Sequence, residues 1–348
     1  MMRQFLVFFI LSFLSNGVLC ADVRRIPENA PRPISIGVSV FVTSISKIND
    51  QTNTFEAILD LQLSWKDSSL AFDVHKMGTN RLIFNHDEAT KKLETIWSPK
   101  LILANATVQG MEHGVFINAD GTVVFIQRMK GIFDSKYQLD AFPFDTQNLK
   151  IRIASEEYKT NQIILSQGQR DINNSGLGQD VSLSGWNAKK ITFVRSFKRG
   201  WDGQYFPEMH ANIVITRQPA THLFTILIPF FLVMLIPTIG TLYMNTEVDK
   251  RLGYWSSSIL ALVALSFTYS ARYATLPPDA IIMQLIVIGS AYQIVMILLS
   301  VTLFNSQNTD GWFSNKFIVP EIINYLRFAI PIALVGLVVT RILLTSLI

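Results

Sequence analysis

The sequence predicts an exported antiparallel β-sandwich, immunoglobulin-like in architecture, followed by a bundle of four membrane-spanning helices. Alternating strand patterns fill residues 21–218, and four long apolar runs follow Pro219. The hydrophobic fraction of 49% is high for a soluble protein, and most of the charge lies before Pro219. Together these features indicate a membrane protein with a large exported domain.

Residues 1–20 have the pattern of a secretory signal peptide. Arg3 gives the positive start, residues 5–14 the apolar core, and Cys20 ends the segment before a cleavage site at Ala21. A lipoprotein signal is the weaker alternative, because Leu19 stands where a small residue is needed. Cys20 is the single cysteine, so the mature chain is expected to hold no disulfide and no cysteine-based metal site or nucleophile.

The β-domain is predicted from a hydrophobic period of two, which marks half-buried strands. Turn sequences such as Asp120-Gly121 and Asp202-Gly203 separate these segments. Many short strands with such turns favour a sandwich. The candidate strands occupy residues 34–42, 55–65, 122–128, 147–154, 186–194 and 210–217.

The helical domain, residues 219–348, is predicted to cross the membrane at residues 222–244, 252–272, 280–304 and 322–347. Pro229 and Pro237 are tolerated in the first span because neighbouring helices can bond the carbonyls that prolines free. Arg327 and Arg341 are expected near the interfaces or facing the bundle. Export of the β-domain places Lys250 and Arg251 in the cytoplasm, in agreement with the positive-inside tendency, and predicts location in the plasma or inner membrane.

The second span carries a narrow stripe of small, hydroxyl and apolar side chains. At about 100° per residue, its members fall within roughly 40° of one line along the helix. Such a stripe is typical of a pore lining. An ordinary buried helix, whose small residues let neighbours pack closely, is the alternative. The stripe consists of Gly253, Ser257, Leu260, Ala264, Phe267 and Ala271.

Residues 135–149, SKYQLDAFPFDTQNL, resemble the signature loop of the pentameric ligand-gated ion channels, the Cys-loop receptor superfamily. Phe142-Pro143-Phe144-Asp145 forms the centre of the match. Ser135 and Leu149 replace the bracketing cysteines of animal members, as in the bacterial branch that lacks the disulfide. Further resemblances occur in chain order at Trp65-Lys66-Asp67, Trp97-Ser98-Pro99, Arg217 with Pro219, Ile228-Pro229 and Leu276-Pro277.

The resemblance implies a homopentamer in membrane lipid, opened by a small molecule or by protons, with the stripe lining an ion pore. Leu260, Ala264 and Phe267 would form apolar rings that gate by dewetting. Asp249 would add a carboxylate ring that concentrates cations at the cytoplasmic mouth, and cations are the predicted permeant ions. Lys250 and Arg251 follow directly and oppose this effect, unless they only anchor the helix at the headgroups.

The resemblance also implies a coupling junction between the domains, which includes Phe142 and Pro143. Asp145 and Arg217 would form an ion pair beneath the sandwich. The linker from Arg272 through Pro277 to Pro278 would press on the signature loop and on residues 47–53. Such a junction has two arrangements, as allosteric switching requires. The alternative is that the ion pair only stabilises the fold.

The predicted ligand pocket is the family's site between subunits, made here by Glu156, Tyr158, Trp201, Tyr205 and Phe206. In animal receptors it is an aromatic box suited to cationic amines. Ala104 and Glu156 stand where aromatic residues are usual, which weakens an amine ligand. The glutamates at 156 and 157 would bind a cation or titrate, so acid activation is one hypothesis. The aromatic residues are otherwise packing or edge residues.

No catalytic motif is present: the sequence lacks Gly-x-Ser-x-Gly, HExxH and a phosphate loop. Neither an enzymatic activity nor a cofactor is predicted. The net charge of +4 comes without a dense basic patch, so nucleic-acid binding has no support. The remaining alternative is an inner-membrane sensor or structural protein with an exported β-domain and no conductance.

Overall fold

The computed structural model describes residues 26–27, 31–181, 185–244, 247–272, 280–305 and 318–346. The predicted signal peptide at 1–20 and Pro277 lie outside the described residues.

The N-terminal part consists mainly of β-strands. They are Ile34–Asn49 (β1), Thr54–Lys66 (β2), Arg81–Asn85 (β3), Leu101–Leu103 (β4), Ala106–Asn118 (β5), Thr122–Asp134 (β6), Thr146–Ser155 (β7), Ile163–Ser166 (β8), Gly176–Leu177 (β9), Trp186–Arg199 (β10) and Tyr205–Arg217 (β11). Short helices intervene at Val74–Met77 (α1), Asp87–Thr95 (α2) and Gln169–Asn173 (α3), with 3-10 turns at Ser68–Leu70 and Gln179–Val181.

The described strands form two sheets that pack face to face. The larger sheet has the order β3-β5-β6-β2-β1-β8, with β9 also paired to β1, and the smaller has the order β10-β11-β7-β4. Alternate residues of both sheets point inward and form one apolar core. The β-sandwich predicted from the alternation is therefore confirmed. The core includes Phe55, Leu59, Phe133, Leu149, Ile151 and Ile213.

Two features of the sandwich differ from the sequence prediction. The sequence predicts antiparallel pairing only, but β8 and β9 both pair with β1 in parallel. These strands are four and two residues long, too short to show a period. Sequence patterns also missed the 13-residue strand β5, whose first half is largely exposed and carries little alternation.

Four long helices follow the sandwich. They are Pro219–Leu242 (α4), Val248–Arg272 (α5), Ile281–Asn305 (α6) and Ile318–Ser346 (α7). Each contains a run that is long and apolar enough to cross a membrane. Helix α5 packs against α4 and α6, and α7 packs against the same two helices. The sandwich and this bundle confirm the predicted fold class.

Arg327 of α7 faces the helix bundle, which is one of the two positions that the sequence predicts for it. Its Nε donates to the carbonyl oxygen of Leu242 at 2.6 Å, which caps the end of α4. The Arg327 carbonyl oxygen lacks a helical donor because residue 331 is proline. The Tyr243 hydroxyl donates to that oxygen at 2.9 Å. Contacts between helices therefore satisfy polar groups that lipid cannot hydrate.

Candidate pore, domain junction and hairpin site

Helix α5 has two faces of opposite character. Trp255, Ser258, Leu262 and Tyr269 are buried against the neighbouring helices. The Trp255 indole donates to Thr241 Oγ1 of α4 at 2.9 Å. At about 100° per residue, these buried positions centre roughly 180° from the stripe. Packing of this face fixes how α5 is rotated.

The stripe occupies the opposite face, which no helix among the described residues covers. All six of its residues are exposed in the single subunit. Leu260 and Phe267 are each 71% exposed, a large fraction for apolar side chains. The Ser257 hydroxyl donates to the Gly253 carbonyl of its own helix at 3.0 Å. The structure thus brings the predicted pore residues together on one face, while their role in a pore stays a prediction.

The charges at the cytoplasmic end of α5 point in different directions. Arg251 turns into the bundle and is 6% exposed. The Lys250 ammonium lies 3.8 Å from the Glu247 carboxylate. Asp249 is exposed and lies on the edge of the stripe, about 40° from its centre line. Of these residues, only the aspartate combines exposure with a position on the stripe.

Arg217 lies at the centre of the junction between the domains. Its guanidinium bonds Asp145 at 2.7 and 3.2 Å and Asp50 at 2.8 Å. The side chains of Arg217 and Asp145 are each 2% exposed. The rings of Trp186 and Phe142 lie 4.1 and 4.7 Å from the guanidinium carbon. The expected ion pair is present, and Asp50 is a partner that sequence reasoning missed.

Burial lowers the pKa of Arg217, but the two carboxylates outweigh this effect and the net shift is upward. The arginine therefore remains charged at the pH values at which proteins are studied. Asp145 also accepts from Gln147 Nε2 at 2.6 Å, which fixes the signature loop internally. The junction is a largely buried network of ion pairs and hydrogen bonds, and removing one partner of a buried ion pair is costly because it leaves the other charge without compensation.

Apolar contacts join the signature loop to the helices. Leu139 and Phe142 share a buried cluster with Phe230 of α4 and Tyr269 of α5. The loop between β1 and β2 also reaches α5, because Gln51 Nε2 donates to the Ala271 carbonyl oxygen at 3.2 Å. The β-domain thus contacts the outer end of the helix that carries the stripe. For Arg272 the structure describes only the backbone, as the last residue of α5.

The β10–β11 hairpin is held by polar contacts to the segment after β7. Lys198 lies 3.7 Å from Glu156, and Asp202 lies 3.3 Å from Lys159. The Thr160 amide donates to the Tyr205 carbonyl at 2.9 Å. Of the two glutamates predicted to bind a cation, Glu156 is therefore paired with Lys198, and Glu157 lies 2.9 Å from Lys100. Sequence periodicity gave no signal for these pairs.

The five residues predicted to form a pocket between subunits lie in different environments in the single subunit. Tyr158 is 7% exposed and accepts from the Trp97 indole at 3.1 Å, so it belongs to the sandwich core. Trp201 and Tyr205 are exposed at the hairpin, and the Phe206 ring lies against Gly200. The burial of Tyr158 favours a packing role, and ligand contact by this residue, by Glu156 and by the hairpin residues stays a prediction.

A second cluster of charged side chains lies on β7 and β11, which are neighbouring strands of the smaller sheet. Arg152 Nε bonds Glu208 Oε1 at 2.6 Å, and His210 Nε2 lies 3.3 Å from Glu208 Oε2. Burial raises the pKa of the Glu208 carboxyl, but the bond from Arg152 and the nearby His210 imidazole outweigh this effect and lower the pKa overall. Arg152 and His210 line an open cavity of about 790 Å³. The described residues include no group of three side chains arranged to hold a metal ion.

A family model described as the neurotransmitter-gated ion-channel ligand-binding domain matches residues 18–219. This is more than half of the chain, so the chain belongs to that family, the pentameric ligand-gated ion channels of the Cys-loop superfamily. The resemblance predicted from the signature loop is confirmed.

Individual relatives are distant. The proton-gated ion channel of Gloeobacter violaceus is 23% identical over 256 residues, which is 72% of this chain and 67% of the relative. The neuronal acetylcholine receptor subunit alpha-9 of Gallus gallus is 20% identical over 251 residues, 70% of this chain and 49% of the relative. The gamma-aminobutyric acid receptor subunit beta-4 of Gallus gallus is 26% identical over 150 residues, 41% and 29% respectively. By their names these relatives are channels or receptor subunits and not enzymes.

Proposed function

We propose that the protein is a homopentameric ligand-gated ion channel in which α5 lines the pore. The carrying observation is the two-faced packing of α5, which buries Trp255 and Leu262 and leaves Leu260 and Phe267 71% exposed. Large apolar side chains aligned on one face need partners. Five copies around an axis supply such partners and enclose the stripe. The small and hydroxyl residues at the lower end then contact the permeating ions.

The charges at the mouth favour cations. The guanidinium of Arg251 is turned away from the stripe, and Lys250 is within ion-pair distance of Glu247. The exposed Asp249 is then left to set the potential at the entrance. Five such carboxylates raise the local cation concentration. Lys250 and Arg251 are therefore expected to oppose the effect of Asp249 on cations less than their position in the sequence suggests.

Protons are the agonist that we propose to test first. The relative from Gloeobacter violaceus is named a proton-gated ion channel. Ala104 and Glu156 stand where the family's box has aromatic residues, which weakens a cationic amine as the agonist. Two ion pairs between lysines and carboxylates tie the hairpin to the segment after β7, and a change in the charge of these groups would alter this contact. The second agonist class to test is a small molecule that binds at the same hairpin.

The test is electrical. The full chain is expressed in oocytes or reconstituted in planar bilayers, and the external pH is stepped from about 8 to 4 with asymmetric salt across the membrane. An acid-evoked current that reverses near the cation equilibrium potential is expected. A reversal near the anion potential would contradict cation selectivity.

If no current is observed, the oligomeric state of the protein distinguishes between two explanations. If a pentamer is present at the surface without acid current, protons are excluded as the sole agonist and ligand screening at Glu156 and Tyr205 follows. If the purified protein is a monomer or dimer without conductance, the channel proposal fails. The sensor or structural alternative would then be favoured.

A further inference from the structure

A buried polar contact between three helices lies behind the stripe. Ser258 of α5 and Gln293 of α6 are 6% and 3% exposed. The Ser258 hydroxyl donates to the Val233 carbonyl oxygen of α4 at 2.7 Å. The Gln293 amide donates in turn to Ser258 Oγ at 2.8 Å. One serine therefore connects all three helices.

The Val233 carbonyl is the one that a proline leaves without its helical donor. In an α-helix the N–H of residue 237 donates to the carbonyl of residue 233. Residue 237 is proline and has no N–H. Water is absent from the membrane interior, so the carbonyl needs a partner within the protein. Ser258 supplies the hydrogen bond that Pro237 removes.

We propose that Ser258 is a positioning residue for the pore helix. Its hydroxyl fixes α5 to α4 at the Pro237 break, and Gln293 orients that hydroxyl. Ser258 and Leu260 lie about 160° apart around the helix, so the anchor and the central apolar ring are on opposite sides. Rotation of α5 at the anchor would displace Leu260 from the pore axis. The effect on opening rests on the proposed channel function, whereas the helix contact does not.

The contact is tested by a thermal-stability cycle on the full-length protein. Ser258→Ala, Pro237→Ala and the double variant are compared with the wild type by their Tm in detergent. Ser258→Ala is expected to lower the Tm, because the Val233 carbonyl loses its donor. Alanine at position 237 restores the helical N–H, so Ser258→Ala should then lower the Tm far less. An equal loss in both backgrounds would overturn the proposal.

Ser256→Ala is the matched control. Ser256 is exposed and donates to the Leu252 carbonyl of its own helix at 2.8 Å, so its removal should leave the Tm unchanged. If Pro237→Ala does not assemble, Gln293→Met replaces it in the cycle. Ser258→Ala leaves the Gln293 amide without its acceptor, and Gln293→Met relieves this, so the double variant should lose less than the sum of the two losses. Additive losses would contradict the three-helix contact.

Opening is measured separately, as the stimulus for half-maximal current. We expect Ser258→Ala to shift it about threefold or more, and Ser256→Ala not to shift it. A merely structural role would lower the amount of surface channel without this shift, and that result would overturn the positioning role. Should the wild type carry no current and form no pentamer, the proposed function fails, and the thermal cycle alone decides whether Ser258 bridges the Pro237 break.

Discussion

Arg217 binds carboxylates from two different loops, Asp145 of the signature loop and Asp50 of the β1–β2 loop. A buried charge is stable only while its partners remain in place. The same loops contact α4 and α5 through Phe142 and Gln51. Movement of either loop therefore changes both the electrostatics of the junction and its contact with the helices.

Replacing Asp145 with Asn tests whether this ion pair couples the domains. The amide keeps the shape but removes one charge, so Arg217 loses part of its compensation. We expect about a tenfold shift in half-activating stimulus, within the usual range of coupling free energies. The measurement is a stimulus–response curve normalised to surface protein. Asp140→Asn, an exposed change in the same loop, is the control, and unchanged gating at normal surface level would favour a purely structural pair.

The carboxylate of Asp249 is predicted to set ion preference. Asp249→Asn removes five negative charges from the proposed mouth and should lower the cation-to-anion permeability ratio about threefold or more. Asp249→Glu keeps the charge and should preserve the ratio. Reversal potentials in asymmetric salt measure both. An unchanged ratio in the asparagine variant would assign selectivity to other residues.

At the scale of one element, α5 shows how packing divides a helix between two roles. The buried face is anchored by hydrogen bonds from Trp255, Ser258 and Tyr269 to α4. Among the described residues, no side chain of the stripe donates a hydrogen bond to another helix. The stripe is therefore available to form the pore surface that we propose.

Leu260→Ser tests the apolar ring on this element. A hydroxyl makes the constriction wettable, so the closed state is destabilised and a weaker stimulus should open the channel. We expect the half-activating stimulus to fall about tenfold. Ile259→Ser, an equivalent change about 120° around the helix from the centre line of the stripe, is the control. Assembled channels without a shift would remove Leu260 from the gate.

The β7–β11 strand pair predicts a dependence of stability on pH. The lowered pKa of Glu208 means that its carboxylate stabilises the fold above the pKa of unfolded glutamate, and that this contribution is lost as the pH falls through the lowered value. Arg152→Gln removes one cause of the lowering, so stability should begin to fall at a higher pH. Tm measured from about pH 8 to 3 shows the difference. In the double variant Arg152→Gln/Glu208→Gln, the fall in Tm at the higher pH should disappear. If this fall persists, a group other than Glu208 causes it.

The whole molecule leaves apolar side chains exposed on both of its parts. Ile132 and Phe197 are exposed on the sandwich, and Leu260 and Phe267 on α5. Lipid covers outward-facing helix surfaces, but it does not cover the sandwich. Contact with further copies of the chain, as in the proposed pentamer, would account for exposure on both parts.

The expected assembly is a closed ring of five copies. Light scattering of the detergent-solubilised protein, corrected for bound detergent, should give five times the mass of the mature chain. Phe197→Glu, which places a charge on the exposed face of β10, provides a probe of the sandwich contacts. A monomeric or dimeric wild type would contradict the ring and, with it, the enclosed pore.

The sequence by itself determined the division into sandwich and helices, because periods of two and long apolar runs are local patterns. It also predicted the stripe, since helical spacing is fixed by backbone geometry. Position in the chain did not reveal the second carboxylate on Arg217 or the burial of Tyr158. These depend on contacts between distant segments. The short parallel strands were likewise missed, because two to four residues contain too little pattern.

Only the tertiary structure decided the direction of each charge and hydroxyl around the stripe. Lys250 and Arg251 follow Asp249 directly, yet one is near Glu247 and the other is buried, because packing of the helix sets its rotation. Ser258 is one of three consecutive serines, and sequence cannot say which of them meets the carbonyl that Pro237 frees. Local sequence fixes the spacing of side chains, whereas the partners that surround them fix which of those side chains acts.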